Sequence, residues 1–182
     1  MKIFLSWSGE VSHRVALTLK DWLPFVLHSA KPFVSSEDIA KGTRWAIELA
    51  HELEDTDYGI LCVTRANVQA PWLNFEAGAL SKSIACSRVS PFLLDLKKAE
   101  LEGPLACFQA TSYDEHDVYK LVSSLNDATF SSNVSSNALV EGLRTALEPL
   151  QQEAVRRMFA QWWPNLKDAL DPLVSGGVDS YT

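Results

Sequence analysis

Five short apolar runs of strand length, separated by stretches with helical periodicity, leave this chain few ways to fold. The runs are Lys2–Ser6, Pro32–Val34, Tyr58–Val63, Val89–Leu94 and Ala106–Ala110. In the first, Ile3-Phe4-Leu5 is apolar throughout, with a lysine before it and a Ser-Trp-Ser-Gly turn after it. A short strand that is apolar on both faces belongs in a parallel sheet covered by helices. Ser8-Gly9-Glu10 opens a helix to His28, with Val11, Val15, Leu19, Leu23 and Leu27 spaced by four and Ala16 and Trp22 beside them. Pro24 should kink this helix or end its regular part. Trp45–Leu53 reads as the next helix, a third holds Trp72–Ser83, and Tyr113–Leu125 is the fourth, with Val118, Leu121, Val122 and Leu125 on one face. Lys97–Leu105 reads as loop or short helix. Pro91 has no N–H to give a ladder and argues for the early part of its strand. No hairpin signal joins the runs. The expected class is α/β: a doubly wound, five-stranded parallel sheet over residues 1–130, with right-handed crossovers.

Ser131–Ser136 breaks the composition and reads as a linker. A helical extension follows over residues 137–175, packed on the sheet domain or extending from it. Leu139, Leu143, Leu147 and Leu150 share a stripe, and Met158, Phe159, Trp162 and Trp163 come after it. Pro149 should divide or bend this region. The first half is expected to pack on the sheet. The Trp162-Trp163 half is left as a lid or a self-association surface, since adjacent tryptophans point to different sides of a helix.

Composition narrows the partners. The 182 residues are 47% hydrophobic and 21% charged, with a net charge of −7. An acidic chain without a long Lys/Arg run is a poor binder of nucleic acid or anionic membrane, but a nucleotide needs only a local pocket. Cys62, Cys86 and Cys107 are widely spaced and read as buried free thiols of a reducing compartment. The apolar start is too short for a signal peptide, and no run approaches the roughly 20 residues of a membrane span. A soluble cytoplasmic protein is expected.

The chemistry concentrates after the third run. Arg65–Pro71 is turn-like and ends in a proline that suits a helix start, so Glu76 falls in the first turns of the helix that follows. Trp72 lies four residues before it, on the same helix face. In an open α/β sheet that position borders the carboxyl ends of the strands, where ligands bind. The structural alternative is a core tryptophan and a solvated glutamate favoured by the helix N-terminus. There is no phosphate-binding GxGxxG or Walker loop after the first run, and no GxSxG elbow. His13, His28, His51 and His116 are scattered. His51 stands beside Glu52 and Glu54, but without the i, i+4 spacing of a zinc helix it reads as a solvated face. No metal site is expected. With the flavodoxin-like strand order 2-1-3-4-5, the segments Ser6–Glu10, Ser35–Arg44 and Trp72–Glu76 leave adjacent strands at the topological switch. They bring one glutamate, several serines, Glu37 and Asp38, and Trp7, Trp45 and Trp72 toward one crevice.

These motifs resemble those of Toll/interleukin-1 receptor (TIR) domains, especially the bacterial NAD+-cleaving ones, over about residues 1–127. Ile3-Phe4-Leu5-Ser6-Trp7-Ser8 looks like the opening strand, Ser35–Arg44 with Gly42 like the contact loop after the second strand, and Trp72-x-x-x-Glu76 like the WxxxE motif. The resemblance implies that Glu76 is catalytic in an NAD+ nucleosidase or ADP-ribosyl cyclase. Such an enzyme releases nicotinamide and linear, cyclic or conjugated ADP-ribose, often in anti-phage defence. Ser6, Trp7, Ser8, Ser36, Asp38, Lys41, Trp45 and Trp72 are then the expected substrate-binding set. NAD+ is the substrate, and no cofactor is needed. The resemblance also implies self-association through TIR–TIR contacts and a separate sensor or effector protein as trigger. Arginines found after the first strand in some members are absent; Ser8 and Gly9 stand there. Two other readings remain: a non-enzymatic TIR interaction module acting through Ser35–Arg44 and the terminal helices, and a deoxyribosyltransferase-like enzyme, separable by offering deoxynucleosides against NAD+.

Overall fold

A computed structural model describes residues 1–34, 56–70, 88–131 and 138–176. Its centre is a five-stranded sheet in the order β2-β1-β3-β4-β5, parallel throughout. The strands are β1 (Lys2–Ser6), β2 (Lys31–Val34), β3 (Tyr58–Val63), β4 (Arg88–Leu93) and β5 (Thr111–Ser112). Three described α-helices accompany them: α1 (Glu10–Val26), α2 (Glu115–Ser131) and α3 (Ala138–Gly176). The expected helix Trp45–Leu53, the helix of Trp72–Ser83, the expected linker from 132 and residues 177–182 lie outside the described residues.

Every residue of β3 is buried, as its unbroken apolar run requires of a central strand covered on both faces. Side-chain alternation sorts the core into two layers. Ile3, Leu5, Ile60, Cys62 and Phe92 face α1, α2 and α3, meeting Leu19, Leu23, Val118, Val122, Leu166 and Leu170. Phe4, Leu61, Val63 and Leu93 form the opposite layer with Leu96, Leu101 and Leu105. Pro24 is accommodated within α1, which ends two residues later at Val26, where the Leu27 N–H closes on the Leu23 carbonyl at 2.8 Å.

Pro91 sits in mid-strand, paired with Leu61, not in the early part. The Leu94 N–H donates to the Val63 carbonyl, so by alternation the nitrogen of Pro91 faces away from β3. Pairing on that other side begins only at Phe92 with Thr111, so no ladder bond is lost there. Instead the buried Ser90 hydroxyl spans the gap, donating to the Gln109 carbonyl at 2.9 Å and lying 3.0 Å from Thr111 Oγ1.

The fifth strand is displaced from its expected place. Gly103–Cys107 is a 3-10 turn, and β5 is the two-residue edge Thr111–Ser112. Gly103 takes φ 62, with Pro104 beginning the turn, and the fully buried Leu105 anchors it beneath the sheet. The apolar character of that run serves an anchored turn. Cys107, on its last residue, is exposed rather than buried; Cys62 is buried as expected.

The terminal region also differs. α3 is one helix that contains Pro149, Pro164 and Pro172. Its packing is the reverse of the expected one: residues 145–150 are exposed, with Leu147 at 48% and Leu150 at 68%. The tryptophan half is the docked half. Val155, Phe159, Leu166, Leu170 and Leu173 are buried against the sheet domain. Trp162 stacks on Phe25 at 4.3 Å between ring centroids and Trp163 on Phe159 at 5.5 Å. The Trp22 indole N–H donates to the Trp162 carbonyl at 2.7 Å. Gln152 reaches Asp127 on α2 at 2.9 Å, and Tyr113, just after β5, donates to Asp171 at 2.8 Å.

Candidate functional site

The carboxyl ends of β1 and β3 lie side by side, with Ser6 opposite Leu61. Ser6 ends β1 on the sheet face shared with Phe4, away from α1. It is fully buried, and its Oγ has no hydrogen-bond partner among the described residues. An unpaired buried hydroxyl costs desolvation without return, so its place at the binding edge of the sheet is informative. Trp7 turns toward the α1 layer, where its ring stacks on His13 with centroids 4.0 Å apart and planes 25° apart. One ring face is thereby occupied. His13 Nε2 is likewise buried without a partner among the described residues.

The chain then turns into α1 through Ser8 and Gly9. Gly9 holds φ 89, in the left-handed region that favours glycine, and a Cβ there would meet nothing within 4 Å. The requirement is one of backbone conformation and not of space. Ser12, buried one turn into the helix, closes the loop from below: its Oγ accepts from the Ser8 N–H at 2.9 Å and lies 2.7 Å from the Ser8 carbonyl.

The exit of β3 is a tight turn over Thr64–Ala70, with Asn67 and Val68 N–H groups donating to the Thr64 carbonyl and Ala70 to that of Asn67. The buried Asn67 amide is bonded at both its oxygen and its nitrogen. Its Oδ1 accepts from the Thr64 N–H at 2.7 Å, and its Nδ2 donates to the Ser8 carbonyl at 2.9 Å and the Cys62 carbonyl at 3.1 Å. Two carbonyls on one side and an N–H on the other leave a single consistent amide orientation. Arg65 secures the turn from the opposite side. Its N–H donates to Asp95 at 2.7 Å and its guanidinium grips both oxygens of Glu100 at 2.6 and 3.2 Å. The paired guanidinium holds the Glu100 carboxyl below its ordinary range. Sequence reasoning passed over Asn67 and Arg65. The available signal was an asparagine in a short polar stretch between a buried strand and a proline, a position where its amide bonds locally to backbone.

Of the expected site residues, Ser6, Trp7 and Ser8 gather at the end of β1. Ser36, Asp38, Lys41, Trp45, Trp72 and Glu76 lie outside the described residues. At the start of α2, Asp114, His116 and Asp117 bring ligand-type atoms within 4.8 Å of one another. Helix capping explains that cluster. Asp114 Oδ1 accepts from the Asp117 N–H at 2.9 Å, and Asp117 is engaged by Lys98, which holds its carboxyl below the ordinary carboxylate range, and by the Ser112 N–H.

A sequence model of the TIR domain matches residues 3–122. The chain belongs to the TIR domain family. The match begins within β1, spans α1 and the other four described strands, and ends within α2, so α3 lies beyond it. None of the curated proteins compared with the chain matches its sequence. Among solved structures, the TIR domains of the activated Roq1 resistosome, which directly recognises the pathogen effector XopQ, align over 96% of this chain and 98% of their own at 13% identity and a TM-score of 0.45. An azoreductase from Bacillus anthracis str. Sterne aligns over 96% and 99% at 9% identity and a TM-score of 0.39. Neither likeness bears on function. Among the described residues, no helix of this TIR domain is long and apolar enough to cross a membrane.

Proposed function

We propose that this TIR domain cleaves the bond between nicotinamide and ribose in NAD+, with Glu76 as the catalytic carboxylate. One observation carries the reading: the stretch that belongs to the TIR family includes Trp72-Leu73-Asn74-Phe75-Glu76, which begins two residues after the turn that leaves the central strand. As the glycosidic bond breaks, its electron pair returns to the pyridinium nitrogen and nicotinamide leaves neutral. Positive charge then develops on the ribose as an oxocarbenium-like state, which an adjacent carboxylate stabilises. Water adding at C1′ loses a proton and gives ADP-ribose; an adenine nitrogen adding there would give a cyclic product. In this reading Ser6 and Ser8 offer polar contacts at the end of β1, and the buried Ser6 hydroxyl, without a partner among the described residues, supports a ligand partner. Ser36 and Asp38 would hold hydroxyls, Lys41 the pyrophosphate, and Trp7, Trp45 and Trp72 ring faces. No metal or cofactor takes part.

The same reading makes the protein cytoplasmic and self-associating, with a separate sensor or effector as trigger and anti-phage defence as its setting. Nucleic acid and membrane are not partners. The exposed Leu147 and Leu150 on α3 favour, as a second reading, a TIR module that works by binding alone. Chromatography of NAD+ incubated with concentrated wild type and Glu76→Ala separates the two. Nicotinamide from the wild type only supports the enzyme, and equal release by both removes Glu76 from its role. No nicotinamide from concentrated wild type favours the binding module. Deoxynucleosides offered in parallel should be left intact; their cleavage would point to deoxyribosyl transfer.

A further inference from the structure

We infer that Asn67 is a positioning residue of the NAD+ site, the link that sets the β1 exit loop against the β3 exit turn. The inference rests on the NAD+ reading above. Both segments bear on substrate in that reading: Ser6-Trp7-Ser8 leave β1, and the chain beyond Ala70 leads to Trp72 and Glu76. Between the described parts of these two segments, the bond from Asn67 Nδ2 to the Ser8 carbonyl spans 59 positions of sequence at 2.9 Å. The amide is buried at 4% exposure, so water does not replace it when it is lost.

The geometry transmits position in both directions. Asn67 is fixed to its own turn through Thr64, the first residue after β3, and to Cys62 within β3. Arg65, one residue into the same turn, is fixed in turn to Asp95 and Glu100 beyond β4. On the other side the Ser8 peptide is held from below by Ser12, so its carbonyl meets Asn67 in a set direction. Gly9 follows with its left-handed backbone. The exits of three neighbouring strands are thus tied into one frame, with Asn67 as the tie that reaches β1. A displaced loop weakens substrate binding without loss of any group that touches substrate.

Asn67→Asp and Asn67→Ala test the role. The aspartate keeps the acceptor for Thr64 but at neutral pH sets a carboxylate against the Ser8 and Cys62 carbonyls, with no proton to donate. In acid it regains one donor. With the variants folded by circular dichroism, KM for NAD+ should rise about tenfold, the equivalent of one lost buried hydrogen bond, while kcat stays within about threefold. Asn67→Asp should recover toward wild type as the pH falls, and Asn67→Ala should not. Amide hydrogen exchange in residues 8–12 should quicken in both at neutral pH while α3 is unchanged. Unchanged KM in folded variants overturns the role. Where Asn67→Ala does not fold, the aspartate variant and its pH profile carry the test. A wild type that releases no nicotinamide defeats the NAD+ reading itself; unchanged exchange at 8–12 would then defeat the tie independently of it.

Discussion

Ser6 and Gly9 illustrate what single residues at the end of β1 contribute to stability. Ser6→Ala removes a buried hydroxyl that has no partner among the described residues, so it should leave stability unchanged or raise it by about 1 kcal/mol in urea unfolding, while NAD+ turnover weakens. A clear loss of stability would show that the hydroxyl is structurally paired. Gly9→Ala meets no steric obstacle, yet its φ of 89 should cost about 1 kcal/mol, and an unchanged unfolding midpoint would contradict that reading. Both residues stand out in the Ser-Trp-Ser-Gly turn, and their place after β1 was legible from sequence. The partners were not. Nothing in the spacing of Trp7 and His13 shows that their rings stack, because the register of a loop against its helix depends on the turn at Gly9. Asn67 escaped notice for a related reason: its three bonds run to backbone atoms, one of them 59 positions away, and backbone partners leave no trace in side-chain pattern.

Elements were legible where periodicity had only one interpretation. β1, β3 and the buried face of α2 follow directly from their apolar runs. α3 shows the limit. Leu139, Leu143, Leu147 and Leu150 have helical spacing, but so do Val155, Phe159, Leu166, Leu170 and Leu173, and periodicity does not say which stripe meets a core. The second does. Leu166→Ala or Leu170→Ala should therefore cost about 2–5 kcal/mol, whereas Leu150→Ala should stay within about 0.5 kcal/mol, as judged by chemical denaturation. Equal effects would reverse the assignment. The lower end of α3 also carries a pH signature. Lys167, then Tyr113, hold the Asp171 carboxyl below its ordinary value, while burial and Asp171 raise the Tyr113 hydroxyl. A carboxylate whose folded value is depressed contributes above its unfolded value of about 4, and the contribution disappears as pH falls through the lower folded value. Thermal stability should accordingly decline below about pH 4, and less so in Asp171→Asn. A variant with the same acid profile as wild type would show that the contacts of Asp171 with Lys167 and Tyr113 are energetically silent.

Across the whole molecule, a parallel sheet is what the alternation of apolar runs and helical stretches implies, and its order β2-β1-β3-β4-β5 is the flavodoxin-like one expected. That order brings the exits of β1 and β3 together, so the meeting of these two exits was legible even where the contacts between them were not. α3 covers the α1–α2 side of this sheet, and deleting residues 138–182 would uncover Trp22 and Tyr119, whose rings meet Phe159. The shortened chain should aggregate or lose cooperative unfolding; a sharp transition at the wild-type temperature would mean that α3 is dispensable. Self-association predicts that specific activity rises with protein concentration, and a flat profile would mark the single chain as sufficient. The reaction itself is tested by the rate of nicotinamide release from NAD+ by the full chain against Glu76→Gln, which preserves shape and removes charge. Loss of about 1,000-fold or more in a folded variant is the predicted result. Release at the wild-type rate would contradict the assignment of Glu76 and, with it, the catalytic account.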